Sequence, residues 1–208
     1  MSALNMLRKP FRYSFFNATI GLIVINVILY LVTILNQSTS GLNSIVRLLA
    51  TPGPRSNIYF WQPLTYMFMH GSFTHILFNM FVLFMFGIPL ERRLGSSEFL
   101  AYYLFSGIAT GIVLLLLRLP TVGASAAIYG VLLGFAIFYP DTTILVFFVI
   151  PMRAKFAVLV FTGLSLVLNF VDRSSNISHI GHLMGVFFAG IYLFIRLGIN
   201  PVRELFRR

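Results

Sequence analysis

Residues 123–141 read GASAAIYGVLLGFAIFYPD, a turn of small residues followed by an apolar run and a Pro-Asp stop. The apolar run, 125–139, is hydrophobic enough for a membrane span, but as a helix it would be only about 22 Å long against a hydrocarbon core of about 30 Å. Pro140 and Asp141 place one end of this helix near a membrane surface. The other end, at Ser125, is therefore predicted to lie roughly 8 Å below the opposite surface, where a polar side chain needs a protein or water partner.

The composition of the whole chain places this helix in a membrane protein. Of the 208 residues, 58% are hydrophobic and 10% are charged. Soluble domains carry about 25% charged residues, so this chain lacks the polar side chains needed to cover a water-exposed surface. Hydropathy predicts six spans, separated by short segments rich in Pro, Gly, Ser or charge: 18–36, 74–90, 98–118, 125–139, 155–171 and 179–197. We predict an all-α membrane protein built as a bundle of six transmembrane helices.

The remaining segments are predicted to lie at the two membrane surfaces. A basic stretch, 1–17, precedes the six-span domain, 18–197, and a basic tail, 198–208, follows it. The connection 37–73 is longer than the others and contains Trp61 together with several prolines. We expect this connection to be partly embedded in the membrane interface.

Lysine and arginine are distributed unequally between the two sides of the six-span order. One side holds most of them: Arg8, Lys9, Arg12, Arg92, Arg93, Arg153, Lys155, Arg196, Arg203, Arg207 and Arg208. The other side holds Arg47, Arg55, Arg118 and Arg173. Because cytoplasmic segments are enriched in basic residues, we expect both termini in the cytoplasm and the connection 37–73 outside.

Charge and residue usage exclude several classes of function. The net charge of +10 comes from residues between apolar runs and at the two ends, which is typical of loop charge, so we expect no nucleic-acid partner. The chain has no cysteine, which excludes a thiolate nucleophile and a cysteine-ligated metal. We assign Glu91, Glu98 and Asp141 to loops and Asp172 to a helix end, so no carboxylate lies deep in a predicted span. This argues against paired-carboxylate hydrolysis and most ion-coupled transport.

Ser125 and two histidines are the first candidates for chemistry. Ser125 begins the fourth span, where unpaired N–H groups and the positive end of the helix dipole favour a developing negative charge. His179 and His182 open the sixth span, which starts on the same side. An imidazole beside the Ser125 hydroxyl would act as general base and then as general acid, without a carboxylate to orient it. Tyr129 lies one turn after Ser125 on the same helix face, where it can stack on the imidazole. A serine that only caps the helix is the alternative.

The start of the second span supplies further polar groups. His75 and Asn79 are four residues apart, hence on one helix face, and both can donate hydrogen bonds to an oxyanion. Asn79 is equally compatible with a role in helix packing. His70, near the membrane boundary, is more typical of a structural hydrogen bond.

The sixth span carries two more patterns. A zinc site on His179 and His182 is an alternative. However, a hydrolytic zinc helix of the HExxH kind has Glu after the first histidine, and this chain has Ile180 there. We expect no metal and no cofactor. Gly181 and Gly185 form a GxxxG pattern, which predicts close packing of the sixth helix on the fourth.

In combination, these motifs resemble the rhomboid family of intramembrane serine proteases, of the bacterial type. The ordered set covers about residues 61–190: His70-x4-His75-x3-Asn79, Leu90-Glu91-Arg92-Arg93-Leu94-Gly95, Gly123-x-Ser125 and His182-x2-Gly185. The resemblance implies a six-helix core around a water-filled cavity that opens to the outer face, with transmembrane helices as substrates.

The resemblance also implies roles for individual residues. Ser125 resembles the nucleophile and His182 the base. The oxyanion donors would be the side chains of His75 and Asn79 with the backbone N–H groups of Ser125 and Ala126. The supporting residues implied are Tyr129 under the imidazole, Gly123, Gly185 and His70.

One residue departs from the family pattern, and two histidines are candidates for the base. The family reads G-x-S-G, whereas Ala126 follows the serine here; alanine keeps the backbone N–H but adds a methyl group. His182 is preferred to His179 as the base because small residues, Gly185 and Ala189, follow it on one helix face.

The predicted function is hydrolysis of a peptide bond in a locally unwound transmembrane segment, near the outer face, through an acyl-enzyme on Ser125. The alternative is a catalytically inactive scaffold of the same fold that binds membrane clients, which Ala126 favours. A small transporter is a third interpretation, opposed by the lack of deep carboxylates and of paired interrupted helices. The expected partners are transmembrane proteins and the lipid bilayer of a bacterial plasma membrane. The sequence does not indicate an oligomeric state.

Overall fold

The computed structural model describes residues 8, 10–35, 42–146, 149–171 and 179–206. Parts of several predicted segments lie outside the described residues: 1–7 and Lys9 of the basic stretch, 36–41 at the start of the first connection, 172–178 with Arg173, and Arg207 and Arg208 of the tail. The long helices are α1 (Ala18–Leu35), α6 (Ser96–Leu116), α7 (Ser125–Phe138), α8 (Ala154–Val171) and α9 (His179–Arg196). The shorter ones are α2 (Leu42–Leu49), α3 (Gln62–Thr65) with a 3-10 turn (Tyr66–Phe68), α4 (Phe73–Val82), α5 (Ile88–Leu94) and α10 (Pro201–Leu205).

Four helical segments are long and apolar enough to cross a membrane: Ala18–Leu35, Phe73–Leu94, Ser96–Leu116 and His179–Arg196. Two shorter apolar helices, α7 and α8, complete the predicted set of six. The chain is thus an all-α membrane protein, as the composition predicts. A small antiparallel hairpin is the exception to the helical pattern, with strands β1 (Thr143–Val146) and β2 (Ile150–Arg153) that the sequence analysis did not predict.

The second span differs from its predicted range, 74–90, because it continues to Leu94. A π-helical turn, Leu83–Gly87, joins α4 to α5, and Pro89, which has no N–H to donate, lies two residues after that turn. Arg92 and Arg93 occupy the last turn, where cations complement the helix dipole. Gly95, with φ of 82°, then ends the helix.

The assignment of Glu91 and Glu98 to loops is wrong. Glu91 lies in α5, is 1% exposed, and accepts hydrogen bonds from the backbone N–H groups of Ala18 and Thr19 at 2.6 and 2.9 Å. It therefore satisfies the free N–H groups at the start of α1, and the Ser96 hydroxyl donates to it as well.

Glu98 also lies in a helix, in the first turn of α6. It is 1% exposed, and it accepts hydrogen bonds from the Phe11 N–H at 2.7 Å, the Tyr192 hydroxyl at 2.5 Å and the Arg196 Nε at 3.1 Å. These bonds join the N-terminal segment, α6 and α9 at the end of the bundle opposite Ser125.

The short helix α7 lies in the centre of the bundle, between α6 and α9. Close approach depends on glycine at two of its positions. A Cβ on Gly130 would meet the Ala189 Cβ and the Ser106 Oγ at 3.1 Å each, and one on Gly134 would lie 2.8 Å from a methyl group of Leu90. Packing on nearly every side explains why so short an apolar helix is stable there.

The first connection is tied to the Ser125 end of the bundle. Thr51 pairs with Thr121 in an isolated bridge, and the Thr121 N–H donates to the Thr51 Oγ1 at 2.7 Å. Further on, the Tyr66 carbonyl accepts from the Gly123 N–H at 2.9 Å, and the Tyr66 hydroxyl donates to the Gly107 carbonyl at 2.8 Å. The connection thereby fixes the turn that precedes Ser125.

The β1–β2 hairpin lies at the other end of α7. Asp141 accepts from Lys155 at 2.9 Å and from Arg153 at 3.4 Å, which closes the base of the hairpin. The contact with Lys155 is the main reason that the pKa of the Asp141 carboxyl lies below its ordinary value.

Candidate active site

Ser125 and His182 meet at the end of the bundle where α7 and α9 begin. The Ser125 Oγ lies 3.1 Å from the His182 Nε2, within hydrogen-bond distance. Ser125 is the first residue of α7, and the N-cap position before it is occupied by Ala124, so Ser125 is not the residue that caps the helix. The hydroxyl is therefore available to the imidazole, unlike that of a serine that caps a helix.

Close packing of α9 on α7 sets this distance. A Cβ on Gly185 would overlap the carbonyl oxygen of Ala126, so only glycine allows the two backbones to approach this closely. Gly185 lies three residues after His182 and Ala126 directly follows Ser125, so this close contact between the helices lies beside the pair. The predicted packing of the sixth helix on the fourth is confirmed.

Tyr129 stacks on the His182 ring. The two ring centroids are 4.3 Å apart and the planes differ by 10°. The Tyr129 hydroxyl lies 3.0 Å from the Oγ of Ser165, a residue of α8 that is 3% exposed. The imidazole is thus supported by a ring that is itself held by a hydrogen bond to a third helix. No carboxylate among the described residues contacts the His182 Nδ1, which has no hydrogen-bond partner there.

The alternative histidine, His179, makes an edge-to-face contact with the His182 ring. The His179 and His182 ring centroids are 6.1 Å apart and nearly perpendicular, and His179 is 6% exposed. Within the described part of the chain, no three His, Asp or Glu side chains are grouped as a metal site.

His75 and Asn79 approach the same point from α4. A Cβ on Gly123 would lie 2.7 Å from the His75 Nε2 and 3.7 Å from the Asn79 Nδ2, and the φ of 116° at Gly123 also favours glycine. Both side-chain nitrogens therefore lie beside the turn that leads into Ser125. The Asn79 Nδ2 is buried and has no hydrogen-bond partner among the described residues. A buried amide left unpaired in this way is available to a bound group.

His70 supports His75 without reaching Ser125. The two rings make an edge-to-face contact with centroids 5.1 Å apart. Burial, with a smaller contribution from His75, lowers the pKa of His70 to about 4. His70 is therefore neutral at pH 7.

A cavity of about 740 Å³ connects these groups. Its polar lining includes the side chains of His75, Asn79, Ser125, Tyr129 and His182. Apolar residues, among them Phe78 of α4, Val122 of the turn and Phe161 of α8, form other parts of the wall. Apolar walls with a few convergent polar groups are typical of a ligand-binding cavity.

Ser165 is the residue of this site that sequence reasoning missed. It stands in a run of apolar residues, Leu164-Ser165-Leu166, with no neighbouring motif. The only indication in the sequence is that a serine stands at a mid-helix position of a predicted span. A buried hydroxyl in a membrane helix needs a hydrogen-bond partner, so such a serine points to a contact with another helix.

Comparison with known proteins agrees with the fold. The family model for the Rhomboid domain matches residues 57–199. The matched range contains all the side chains described above, from His70 to Gly185, and the chain belongs to the Rhomboid family.

Individual relatives match over a similar range. The rhomboid protein YdcA of Bacillus subtilis is 34% identical over 137 residues, which cover 63% of this chain and 64% of that protein. The rhomboid protease GluP of Bacillus subtilis is 34% identical over 134 residues, 64% of this chain and 26% of GluP. RHOMBOID-like protein 2 of Arabidopsis thaliana is 33% identical over 138 residues, 65% of this chain and 43% of that protein. The chain therefore spans less than two thirds of the length of each of these relatives.

Proposed function

We propose that this protein is an intramembrane serine endopeptidase that cleaves transmembrane segments of other membrane proteins. The observation that carries the proposal is the 3.1 Å contact between the Ser125 Oγ and the His182 Nε2 in a cavity inside a membrane helix bundle. Family membership supports the general activity, because the family includes the protease GluP. The substrates of this chain would be membrane proteins whose helices unwind locally in the cavity.

In the proposed reaction, the Ser125 Oγ attacks the carbonyl carbon of the scissile bond while His182 takes the hydroxyl proton. The amine then leaves with that proton, and Ser125 keeps the acyl group as an ester. A water molecule attacks the ester with His182 again as base, and the acid product leaves as the Ser125 hydroxyl regains its proton.

The oxyanion formed in each half of this reaction needs donors. By helix geometry, the N–H groups of Ser125 and Ala126 are not used within α7. Together with His75 and the unpaired Asn79 Nδ2, they would surround the developing charge. Tyr129, held by Ser165, would keep the imidazole in place where other proteases use a carboxylate.

The proposed topology has six crossings with both termini in the cytoplasm. It rests on the four long helices, on the two shorter apolar helices and on the uneven distribution of lysine and arginine. The proposed location is a bacterial plasma membrane, with the cavity opening to the outer side. Reporter fusions at both termini that are active only in the cytoplasm would support this topology, and a terminus active outside would contradict it.

An inactive scaffold of the same fold is the second candidate. Ala126 favours it, since the residue is 3% exposed and its methyl group is absent from the family pattern. Cleavage of a reporter transmembrane protein in liposomes separates the two. The protease proposal expects cleavage by the wild type and none by Ser125→Ala; equal processing by both proteins would contradict it, and no processing by a folded wild type would favour the scaffold.

A further inference from the structure

A second cavity lies in the first connection, separate from the candidate active site. Its volume is about 300 Å³, and it lies between the end of α2 and the segment that leads to α3. Its lining residues are Arg47, Leu48, Arg55, Ser56, Asn57 and Tyr59. None of these residues lines the cavity of the candidate active site.

The two arginines give this cavity a positive charge that no described residue neutralises. Neither Arg47 nor Arg55 forms an ion pair within the described part of the chain. The described acidic residues, Glu91, Glu98, Asp141 and Glu204, belong to elements at the opposite end of the bundle. Guanidinium groups match the oxygens of a phosphate by paired hydrogen bonds, so the charge favours a phosphate ligand.

Side chains from neighbouring elements hold the walls of the cavity. Gln62, which is fully buried, donates to the Arg47 carbonyl at 3.2 Å. The Trp61 Nε1 donates to the Leu48 carbonyl at 2.9 Å, and the Arg118 Nη1 donates to the Ser56 carbonyl at 2.8 Å. Such a cavity is formed before the ligand arrives, which lowers the entropic cost of binding.

The position of the cavity along the bundle matches the depth of lipid headgroups. Arg118, which holds Ser56, lies two residues beyond the apolar end of α6, where Leu116 is 72% exposed. Tyr59 stacks on Trp61 with ring centroids 4.8 Å apart, and the adjacent Phe60 is 89% exposed. Exposed aromatic residues next to the end of a span are typical of the membrane–water interface.

We propose that Arg47 and Arg55 bind the phosphate of an anionic phospholipid in the same leaflet as the opening of the Ser125 cavity. The exposed apolar side chains beside the cavity, including Phe60, would contact the glycerol and upper acyl region of that lipid. These contacts stabilise a bound lipid but not a free phosphate ion, which has no apolar part, so they favour a lipid as the ligand. A zwitterionic headgroup carries a positive group, which the two arginines would repel. An anionic lipid is therefore preferred. This inference does not depend on the proposed protease activity.

Trp61 makes the proposal measurable, because it is the only tryptophan in the chain and lies beside the cavity. The full-length protein is placed in nanodiscs of phosphatidylcholine that contain a small fraction of brominated phosphatidylglycerol or brominated phosphatidylcholine. Bromine on the upper acyl chain quenches tryptophan at short range. We expect phosphatidylglycerol to quench Trp61 more strongly than phosphatidylcholine, and high salt to reduce the difference.

The double variant Arg47→Gln/Arg55→Gln tests whether these two arginines bind the lipid. The matched control is Arg92→Gln/Arg203→Gln, which has the same net charge as the test variant but is changed at the opposite end of the bundle. We expect the relative affinity for phosphatidylglycerol to fall roughly five-fold for each arginine removed, and to be unchanged in the control. For each protein we take the ratio of the quenching by brominated phosphatidylglycerol to the quenching by brominated phosphatidylcholine. A change in the position of Trp61 affects both signals alike and so cancels in this ratio. Circular dichroism and gel filtration establish that the variants are folded.

Three results would overturn the proposal. The first is equal quenching by the two lipids in the wild type, and the second is an unchanged preference in the folded Arg47→Gln/Arg55→Gln variant. The third concerns the source of the phosphate. If soluble glycerol 3-phosphate abolishes the preference at the same molar ratio as the lipid, the cavity is a site for free phosphate and not for a lipid headgroup.

Discussion

The carbonyl oxygen of Ala126 occupies the space that a side chain at Gly185 would need. The two residues adjoin the Ser125–His182 pair, so the absence of a single Cβ in α9 brings the two proposed catalytic side chains into contact. Other positions of α9 have more room: a Cβ on Gly190 would meet its nearest neighbours at 3.8 and 3.9 Å.

Gly185→Ala should therefore separate α9 from α7, whereas Gly190→Ala should not. We expect Gly185→Ala to lower stability by about 1–3 kcal/mol, as overpacking does, and to lower the rate of the reporter cleavage by roughly 100-fold because the histidine is displaced. Thermal unfolding in detergent and the cleavage rate measure the two effects. If both variants behave alike, the packing at Gly185 does not determine the geometry of the pair.

The hydrogen bond between Tyr129 and Ser165 should contribute to the rate of the reaction. Ser165→Ala removes the partner of the Tyr129 hydroxyl, and Tyr129→Phe removes the hydroxyl and keeps the stacked ring. We expect each change to lower kcat about five-fold with little change in KM, which corresponds to one hydrogen bond of about 1 kcal/mol. The double variant should be no worse than either single one. Fully additive losses would show that the two hydroxyl groups act independently.

Asn79 should act on the transition state and not on substrate binding. Its Nδ2 is buried without a partner among the described residues, as expected for a donor that waits for an oxyanion. We expect Asn79→Ala to lower kcat by about 10²–10³-fold while KM changes little. Steady-state kinetics on the reporter separates the two constants. A rise in KM with kcat unchanged would assign Asn79 to substrate binding instead.

Glu91 should stabilise the bundle through the start of α1. The Glu91 Oε1 accepts from the Ala18 N–H and the Oε2 accepts from the Thr19 N–H, and Glu91→Gln replaces one of these two oxygens by an NH2 group that cannot accept. We expect a loss of about 1–3 kcal/mol. Asp141→Asn is the matched control, because Asp141 is exposed and water screens its ion pairs with Lys155 and Arg153, so we expect a smaller loss. Melting temperatures compare the two; a control that is destabilised as much as Glu91→Gln would contradict this role.

Much of the fold follows from patterns that are local in the sequence. Apolar runs of sufficient length predict the helices, and Pro140 with Asp141 predicts that the helix from Ser125 is short. The GxxxG pattern at Gly181 and Gly185 predicts the close packing of α9 on α7. These predictions succeed because length, hydrophobicity and missing side chains restrict a membrane helix whatever its neighbours are.

Other features depend on contacts that the sequence does not encode locally. Glu91 stands beside two arginines, a local pattern that favours a loop, yet it caps a helix that begins more than seventy residues earlier. Ser165 acquires its role only when α8 approaches Tyr129. The β1–β2 hairpin is formed by two runs of four residues, too short for their periodicity to distinguish a strand from a loop.

Labelling with a fluorophosphonate, which reacts with activated serines, tests the Ser125–His182 pair most directly. Detergent-purified wild type is compared with Ser125→Ala, His182→Ala and, as the matched histidine control, His179→Ala. We predict that the wild type and His179→Ala are labelled and that Ser125→Ala and His182→Ala are not. Labelling of Ser125→Ala, or no labelling of a folded wild type, would contradict the proposal that Ser125 is a nucleophile activated by His182.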